Sequence, residues 1–221
     1  MNLSIIGKAD GPTSIFLAGR FGNLFMIPAF LIIVFFYGIY FAKQISSKRQ
    51  GIRTNQLGRR KEKSVRIREF ILTAAAVFIV PAQVVSILFD LSRMPSALRV
   101  AGIVLGILGD LIFLTAVLTM KSSWRAGIPV NEKTEFVSCG IYRYSRNPAF
   151  VGFDLMYIGI LMMYFNLGLL VITVWAAGML HLQSLQEERY LQAVFGEEYL
   201  AYKMCTCRYL GRKKQQTVNP S

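Results

Sequence analysis

The sequence predicts an all-α integral membrane protein of about five transmembrane helices, ending in a helical hairpin. Three observations predict this. Of 221 residues, 54% are hydrophobic and the mean hydropathy is +0.44, yet the formal net charge is +13. Soluble domains rarely combine such values, whereas apolar spans joined by basic loops do so by segregation. The apolar residues also fall into runs long enough to cross a hydrocarbon core, and Lys and Arg gather between those runs.

Residues 1–23 form an N-terminal extracytoplasmic segment in which Asp10-Gly11-Pro12 reads as a turn. The predicted spans are Leu24 to Ala42, Phe70 to Leu91, Arg99 to Met120, Ala149 to Phe165 and Leu167 to Gln183. The first three meet the length of about 20 helical residues that a bilayer demands. The last two run almost continuously, split only by Asn166 and Gly168, so a tight hairpin is preferred to one long helix. Pro81 lies inside the second span and is expected to kink it. The domain reading is residues 24–98 as two N-terminal spans with a basic cytoplasmic loop, 99–210 as the functional core, and 211–221 as a polar tail.

Charge fixes the expected orientation. The loop after the first span carries Lys43, Lys48, Arg49, Arg53, Arg59, Arg60, Lys61, Lys63, Arg66 and Arg68. Arg143 and Arg146 precede the hairpin, and Arg208, Arg212, Lys213 and Lys214 follow it. The positive-inside bias puts the N-terminus outside and the C-terminus in the cytoplasm. The basic loop Gly51 to Lys63 is suited to anionic headgroups. It lacks the interleaved aromatics of a nucleic-acid surface, so nucleic acid is not an expected partner. The first apolar run starts late and has its basic cluster behind it, unlike a cleavable signal. Cys139, Cys205 and Cys207 all fall on the cytoplasmic side, where reduced thiols are expected.

Polar groups inside the spans are candidate functional residues, because burying them in lipid is costly. Asp110 lies mid-span and reads equally as functional or as a group neutralised within the bundle. Asp154 lies one turn beyond Phe150 and is a candidate base. Gln83 and Asp90 read as helix glue or interfacial groups. His181 is the only histidine, and Cys205-x-Cys207 does not complete a convincing ligand set, so no metal site is expected.

The densest motif is Gly140-Ile-Tyr-Arg-Tyr-Ser-Arg-Asn-Pro-Ala-Phe-Val-Gly152, at the mouth of the hairpin. Pro148 pushes Asn147 out of helical geometry and suits a first helical turn, so the fourth helix is expected to start there. The free N–H groups of that turn favour an anion, and Arg146 adds a fork for a carboxylate. The competing view is that Arg143 and Arg146 merely obey the positive-inside bias. At the other end of the hairpin His181, Leu185 and Glu188 share one helical face, and Gln183 and Glu187 the next. Phe195-Gly196 is expected to end the helix, with Tyr199 and Tyr202 one turn apart beyond it.

In order and spacing, Gly140, Tyr142, Arg146, Pro148, Gly152, Glu187, Glu188, Leu191, Phe195, Gly196, Tyr199, Tyr202 and Arg208-Tyr209-Leu210 resemble the isoprenylcysteine carboxyl methyltransferase family and its relatives among phospholipid N-methyltransferases. The likeness covers about residues 99–210, and Trp124 to Ile128 is similar to a segment common in bacterial members. Two positions depart from the family pattern: Asn147 stands for a histidine and Phe150 for a tyrosine. The resemblance implies S-adenosyl-L-methionine as cofactor, held at the cytoplasmic surface of a membrane, and the likeness to bacterial members implies a bacterial cell membrane. It implies a lipid, a lipidated molecule or another small lipophilic compound as acceptor. Arg146 and backbone amides at Pro148 would hold the methionine carboxylate. Glu188, with Glu187 as second choice, would hold the ribose or the amino group. Tyr142, Phe150 and Tyr199 would line the adenine or the sulfonium, with Gly152 and His181 also in the pocket. Arg146, Asn147 and Asp154 would be the catalytic group.

Two other classes compete. A sterol-type membrane reductase shares a related Arg-His-Pro plan and takes NADPH; the Glu187-Glu188 pair and the short chain argue against it. A small transporter or scaffold would place Asp110 on an ion path and tolerate Glu188→Gln.

Overall fold

The computed structural model describes residues 24–49, 63–90, 92–121 and 136–212, with the side chains of the second helix described from Phe70 onward. The peptide around Asp10, most of the basic loop, Trp124 to Ile128 and the tail from Lys213 lie outside the described residues. Five α-helices follow in order: α1 (Met26–Arg49), α2 (Lys63–Phe89), α3 (Ser96–Met120), α4 (Pro148–Met163) and α5 (Leu167–Cys205), with a 3-10 turn at Gly140–Arg143. The described residues are helical apart from connections and one isolated bridge between Thr206 and Arg212. The chain is an all-α membrane protein, as the composition predicts.

Met26–Arg49, Phe70–Phe89, Ser96–Met120 and Leu167–Cys205 are each long and apolar enough to cross a membrane. α4 is the short member: its 16 residues make roughly 24 Å of helix, under a typical hydrocarbon thickness of about 30 Å. α1 and α2 extend past the predicted spans into the basic connection, because no Gly or Pro stops them between Phe41 and Arg49 or between Lys63 and Phe70. α2 runs as one helix through Pro81.

The hairpin forms where the sequence splits. α4 ends at Met163, and the Asn166 side chain accepts from the Leu169 N–H at 2.8 Å, capping α5. α5 has 39 residues, roughly 58 Å, about twice a hydrocarbon core. Its apolar stretch ends near Gln183, so its second half projects into polar surroundings. Gly196 breaks it with φ 51° and ψ −123°, a conformation that glycine reaches at little cost.

α3 and α4 make the most intimate contact in the bundle. Gly102, Gly106 and Gly109 on α3 face Gly152 and Gly159 on α4. A Cβ on Gly159 would sit 2.6 Å from the Gly102 carbonyl oxygen and 2.7 Å from the Gly106 nitrogen. Bundles in lipid lack a strong hydrophobic drive between helices, and such close backbone approach supplies the packing instead. Phe36 of α1 closes over this seam, stacked on Phe113 with ring centroids 4.4 Å apart and edge-on to Phe153. Gln83 of α2 is fully buried and donates to the Met156 sulfur at 3.6 Å, which makes it the interhelical glue expected.

The ends of the bundle are told apart by their contacts. At one end Arg99 pairs with Asp90 at 2.8 Å and lies over the rings of Phe25 and Tyr164, while Asn166 donates to Ser86 at 2.8 Å. The start of α1, the α2–α3 turn and the α4–α5 turn therefore share one end. The residues before α4 and after α5 share the other.

Candidate cofactor site

At that second end, the approach to α4 is shaped by Gly140, whose φ of 58° opens the 3-10 turn against Thr119 at the end of α3. Burial pushes the Tyr142 phenol well above its usual range, with the charges of Glu187 and Tyr202 adding to the effect. The chain then reaches Asn147 at φ −132°, and α4 starts at Pro148, as the sequence predicts.

The segment after the Gly196 break folds back over this approach and clasps it. The Tyr202 hydroxyl donates to the carbonyls of Tyr142 at 2.6 Å and Ser145 at 3.3 Å. The Thr206 hydroxyl donates to the Arg143 carbonyl at 3.4 Å, and the Gly211 N–H to that of Tyr144 at 2.8 Å. The N–H groups of Arg146 and Asn147 donate to the carbonyls of Cys207 and Arg208 at 3.0 and 3.1 Å. Every residue from Tyr142 to Asn147 thus has a backbone group bonded to residues 202–211.

The clasp assembles a charged cluster. Glu188 comes from α5, and its carboxylate is only 6% exposed. Arg208 grips it with both arms, Nε to Oε1 at 2.7 Å and Nη2 to Oε2 at 3.1 Å. Arg146, also 6% exposed in its side chain, reaches Oε1 with Nη2 at 3.3 Å. The Asn147 amide donates to the same oxygen at 3.3 Å. Oε1 therefore meets three donors and Oε2 one. The bond to Glu188 holds the Arg208 guanidinium even more firmly protonated than usual. Nε and Nη1 of Arg146 are buried and have no hydrogen-bond partner. Two guanidiniums against one carboxylate leave a surplus positive charge, and its free N–H groups suit an incoming carboxylate or phosphate.

The structure thus brings Arg146, Asn147 and Glu188 together. Tyr199 is fully buried within electrostatic reach of Glu188, Arg146 and Arg208, and its hydroxyl has no partner. Glu187 sits beside the cluster, accepting from Gln183 at 2.8 Å, on the neighbouring face as predicted. Pro148 is buried at the start of α4 and Phe150 is half-buried on its first turn.

Three candidates go elsewhere. Gly152 is packed into the α3–α4 seam, where a Cβ would lie 2.9 Å from the Gly109 oxygen, so its smallness serves helix approach. Asp154 is half-buried deeper along α4, next to Tyr157, with Oδ1 unpartnered. His181 is exposed and hydrogen-bonds the Tyr209 hydroxyl. His181 and Glu188 do share a face, since both meet the returning C-terminal segment. Asp110 is buried in α3 with Oδ1 unpartnered. Arg208 and Tyr202 are the residues that sequence reasoning left without a role. Their only signal was their place in the terminal motif.

Residues 97–198 match the family model for phospholipid methyltransferase, from the start of α3 to just past the Gly196 break. No curated protein matches the chain closely. The matched region contains the hairpin and all of the candidate residues except Tyr199, and it supports methyl transfer by a membrane protein. By this match, residues 97–198 are similar to the phospholipid methyltransferase family, the family of isoprenylcysteine carboxyl methyltransferase-like proteins.

Proposed function

We propose that the protein transfers a methyl group from S-adenosyl-L-methionine to a lipophilic acceptor, most like carboxyl O-methylation of an isoprenylcysteine, at the cytoplasmic face of the membrane. The observation that carries this reading is the buried Arg146 guanidinium, with Nε and Nη1 unpartnered beside a carboxylate that keeps acceptor capacity on Oε2. A zwitterionic nucleoside cofactor has the matching groups. When bound, it supplies a methyl group on a sulfonium centre whose thioether is a good leaving group.

In this proposal Arg146 binds the cofactor carboxylate through its two free donors, aided by the N-terminal turn of α4 at Pro148. Glu188 accepts from a ribose hydroxyl or the amino group through Oε2, with Glu187 as the alternative. Tyr142, Phe150 and Tyr199 offer aromatic faces to the adenine or the cationic sulfur. Asn147 orients the carboxylate of Glu188; unlike histidine, its amide cannot shuttle a proton. A carboxylate acceptor is already ionised at neutral pH and needs no base, which suits this set of side chains. An amine or thiol acceptor would require Asp154 or His181 to take its proton. The acceptor enters sideways from the lipid, and the protein contributes positioning and exclusion of water. The charge bias supports an outside N-terminus and a cytoplasmic C-terminus.

Calorimetric titration of the protein in mild detergent with S-adenosylmethionine, S-adenosylhomocysteine and NADPH tests the reading. Micromolar binding of the two sulfur ligands, without NADPH, is the expected result. Binding of NADPH alone moves the protein to the reductase class. Binding of none, by folded protein, overturns the cofactor assignment.

A further inference from the structure

We infer that Arg208 is a positioning residue for the cofactor carboxylate: its two-armed grip on Glu188 keeps that glutamate from capturing Arg146. The inference rests on the proposed cofactor and adds the residue that sets the site's preference for an anionic ligand.

The argument is one of competition for a single carboxylate. A guanidinium beside a carboxylate favours a two-armed pair. Arg146 instead makes one contact to Glu188, at 3.3 Å, and leaves Nε and Nη1 without partners. Arg208 already occupies both oxygens of Glu188, at 2.7 and 3.1 Å, and Asn147 adds a third donor to Oε1. Oε1 already takes three donors, and the two-armed grip of Arg208 fixes how the carboxylate is turned, so Arg146 is held to a single contact on Oε1. Its remaining donors stay turned to a ligand. Remove Arg208, and the nearest anion for Arg146 is Glu188 itself.

The fold supplies the means of holding Arg208 in place. Its side chain is 31% exposed, so burial does not fix it. Its backbone does: the Arg208 carbonyl accepts from the Asn147 N–H at 3.1 Å and the Ser145 hydroxyl at 3.3 Å. On either side of it, Tyr209 bonds His181 and the Cys207 carbonyl takes the Arg146 N–H at 3.0 Å. The same clasp that shapes the Arg146 backbone therefore delivers the competitor that keeps the Arg146 side chain free. The family match ends at residue 198, so Arg208 lies beyond it.

The test compares two ligands that differ only in the group in question. S-adenosylmethionine and decarboxylated S-adenosylmethionine share the nucleoside, sulfonium and amine, and only the first carries a carboxylate. The readout is the ratio of their affinities, which a uniform loss of structure leaves unchanged. In Arg208→Ala and in the better space-filling Arg208→Gln, the preference for the carboxylate-bearing ligand should fall roughly 10- to 100-fold, the worth of charged hydrogen bonds. Arg208→Lys, which keeps charge but not the fork, should restore only part of it. An unchanged ratio in the Ala and Gln variants overturns the inference, whether both affinities stay or both fall together. Full restoration by Lys overturns it as well, in favour of plain charge. Failure of the wild-type protein to bind either ligand is a different result, and it removes the proposed cofactor instead.

Discussion

Arg146 and Glu188 meet at 3.3 Å although they enter the site from opposite arms of the hairpin, one just before α4 and the other well along α5. Both side chains are almost fully buried, yet their roles in the cluster are unequal. Among the described residues Glu188 is the one carboxylate paired with both guanidiniums, whereas Arg146 is one of two cations paired with Glu188. Arg146→Ala therefore leaves Glu188 paired with Arg208. Glu188→Gln strands a buried cation.

The first prediction follows from that asymmetry. Both Arg146→Ala and Glu188→Gln should weaken S-adenosylmethionine binding by about tenfold or more. Only Glu188→Gln should also lower thermal stability markedly. Breaking a buried pair from one side costs about 3–5 kcal/mol, less here because the Arg208 arm is partly solvated. Calorimetry and thermal unfolding in the same detergent measure the two quantities. Near wild-type affinity in both variants would sink the pocket assignment, and equal melting temperatures would sink the asymmetry.

Asn147→His tests whether this position needs an amide or only a donor. Asn147 is buried and its Nδ2 serves two acceptors, Oε1 of Glu188 at 3.3 Å and the Arg208 carbonyl at 3.4 Å. An imidazole N–H can replace the stronger of these, to the carboxylate. The variant should fold and bind S-adenosylmethionine within about threefold of wild type, a loss smaller than one charged hydrogen bond. A well-folded variant that no longer binds would show that the amide geometry itself is required.

Much of this arrangement was legible because it is written in local pattern. Apolar run length marked the helices, Pro148 marked the start of α4, Asn166 the hairpin turn, and Gly196 the break in α5. Helical spacing put His181 and Glu188 on one face, and both do meet the returning chain. The clasp was not legible, because on the 142–147 side it is made chiefly through main-chain groups, which every residue type carries. Arg208 was hidden for the same reason: a cation in a basic tail is indistinguishable from topology bias until its partner is known. Gly152 belongs to two patterns at once, the motif and the glycine seam. Its close approach to Gly109 and Phe113 on α3 places it in the seam.

That seam makes its own prediction. Gly159→Val puts two methyl groups where even one Cβ would lie 2.6 Å from a backbone oxygen, and backbone cannot swing aside as a side chain can. The helices must part. The variant should lose at least 1–3 kcal/mol, the usual range for overpacking, seen as a lower melting temperature and earlier aggregation in detergent. Gly178→Val is the matched control, since nothing lies within 4 Å of its Cβ position on α5. Equal stability of the two variants would mean that the α3–α4 approach is looser than described.

The orientation of the bundle can be read from three thiols. Cys139 is exposed just before the 3-10 turn, and Cys205 and Cys207 are half-buried in the clasp, so all three share the end that holds Arg146. In the orientation proposed from the charge bias, that end faces the cytoplasm. A membrane-impermeant maleimide should leave all three unlabelled in intact cells. It should label Cys139 first once the membrane is permeabilised, because that thiol is the most exposed. Adding S-adenosylhomocysteine should then slow labelling of Cys207 more than of Cys139, since Cys207 lies next to Arg208 and accepts the Arg146 N–H. Labelling of Cys205 or Cys207 from outside intact cells would invert the topology and put the cofactor site on the wrong side of the membrane for a cytoplasmic methyl donor.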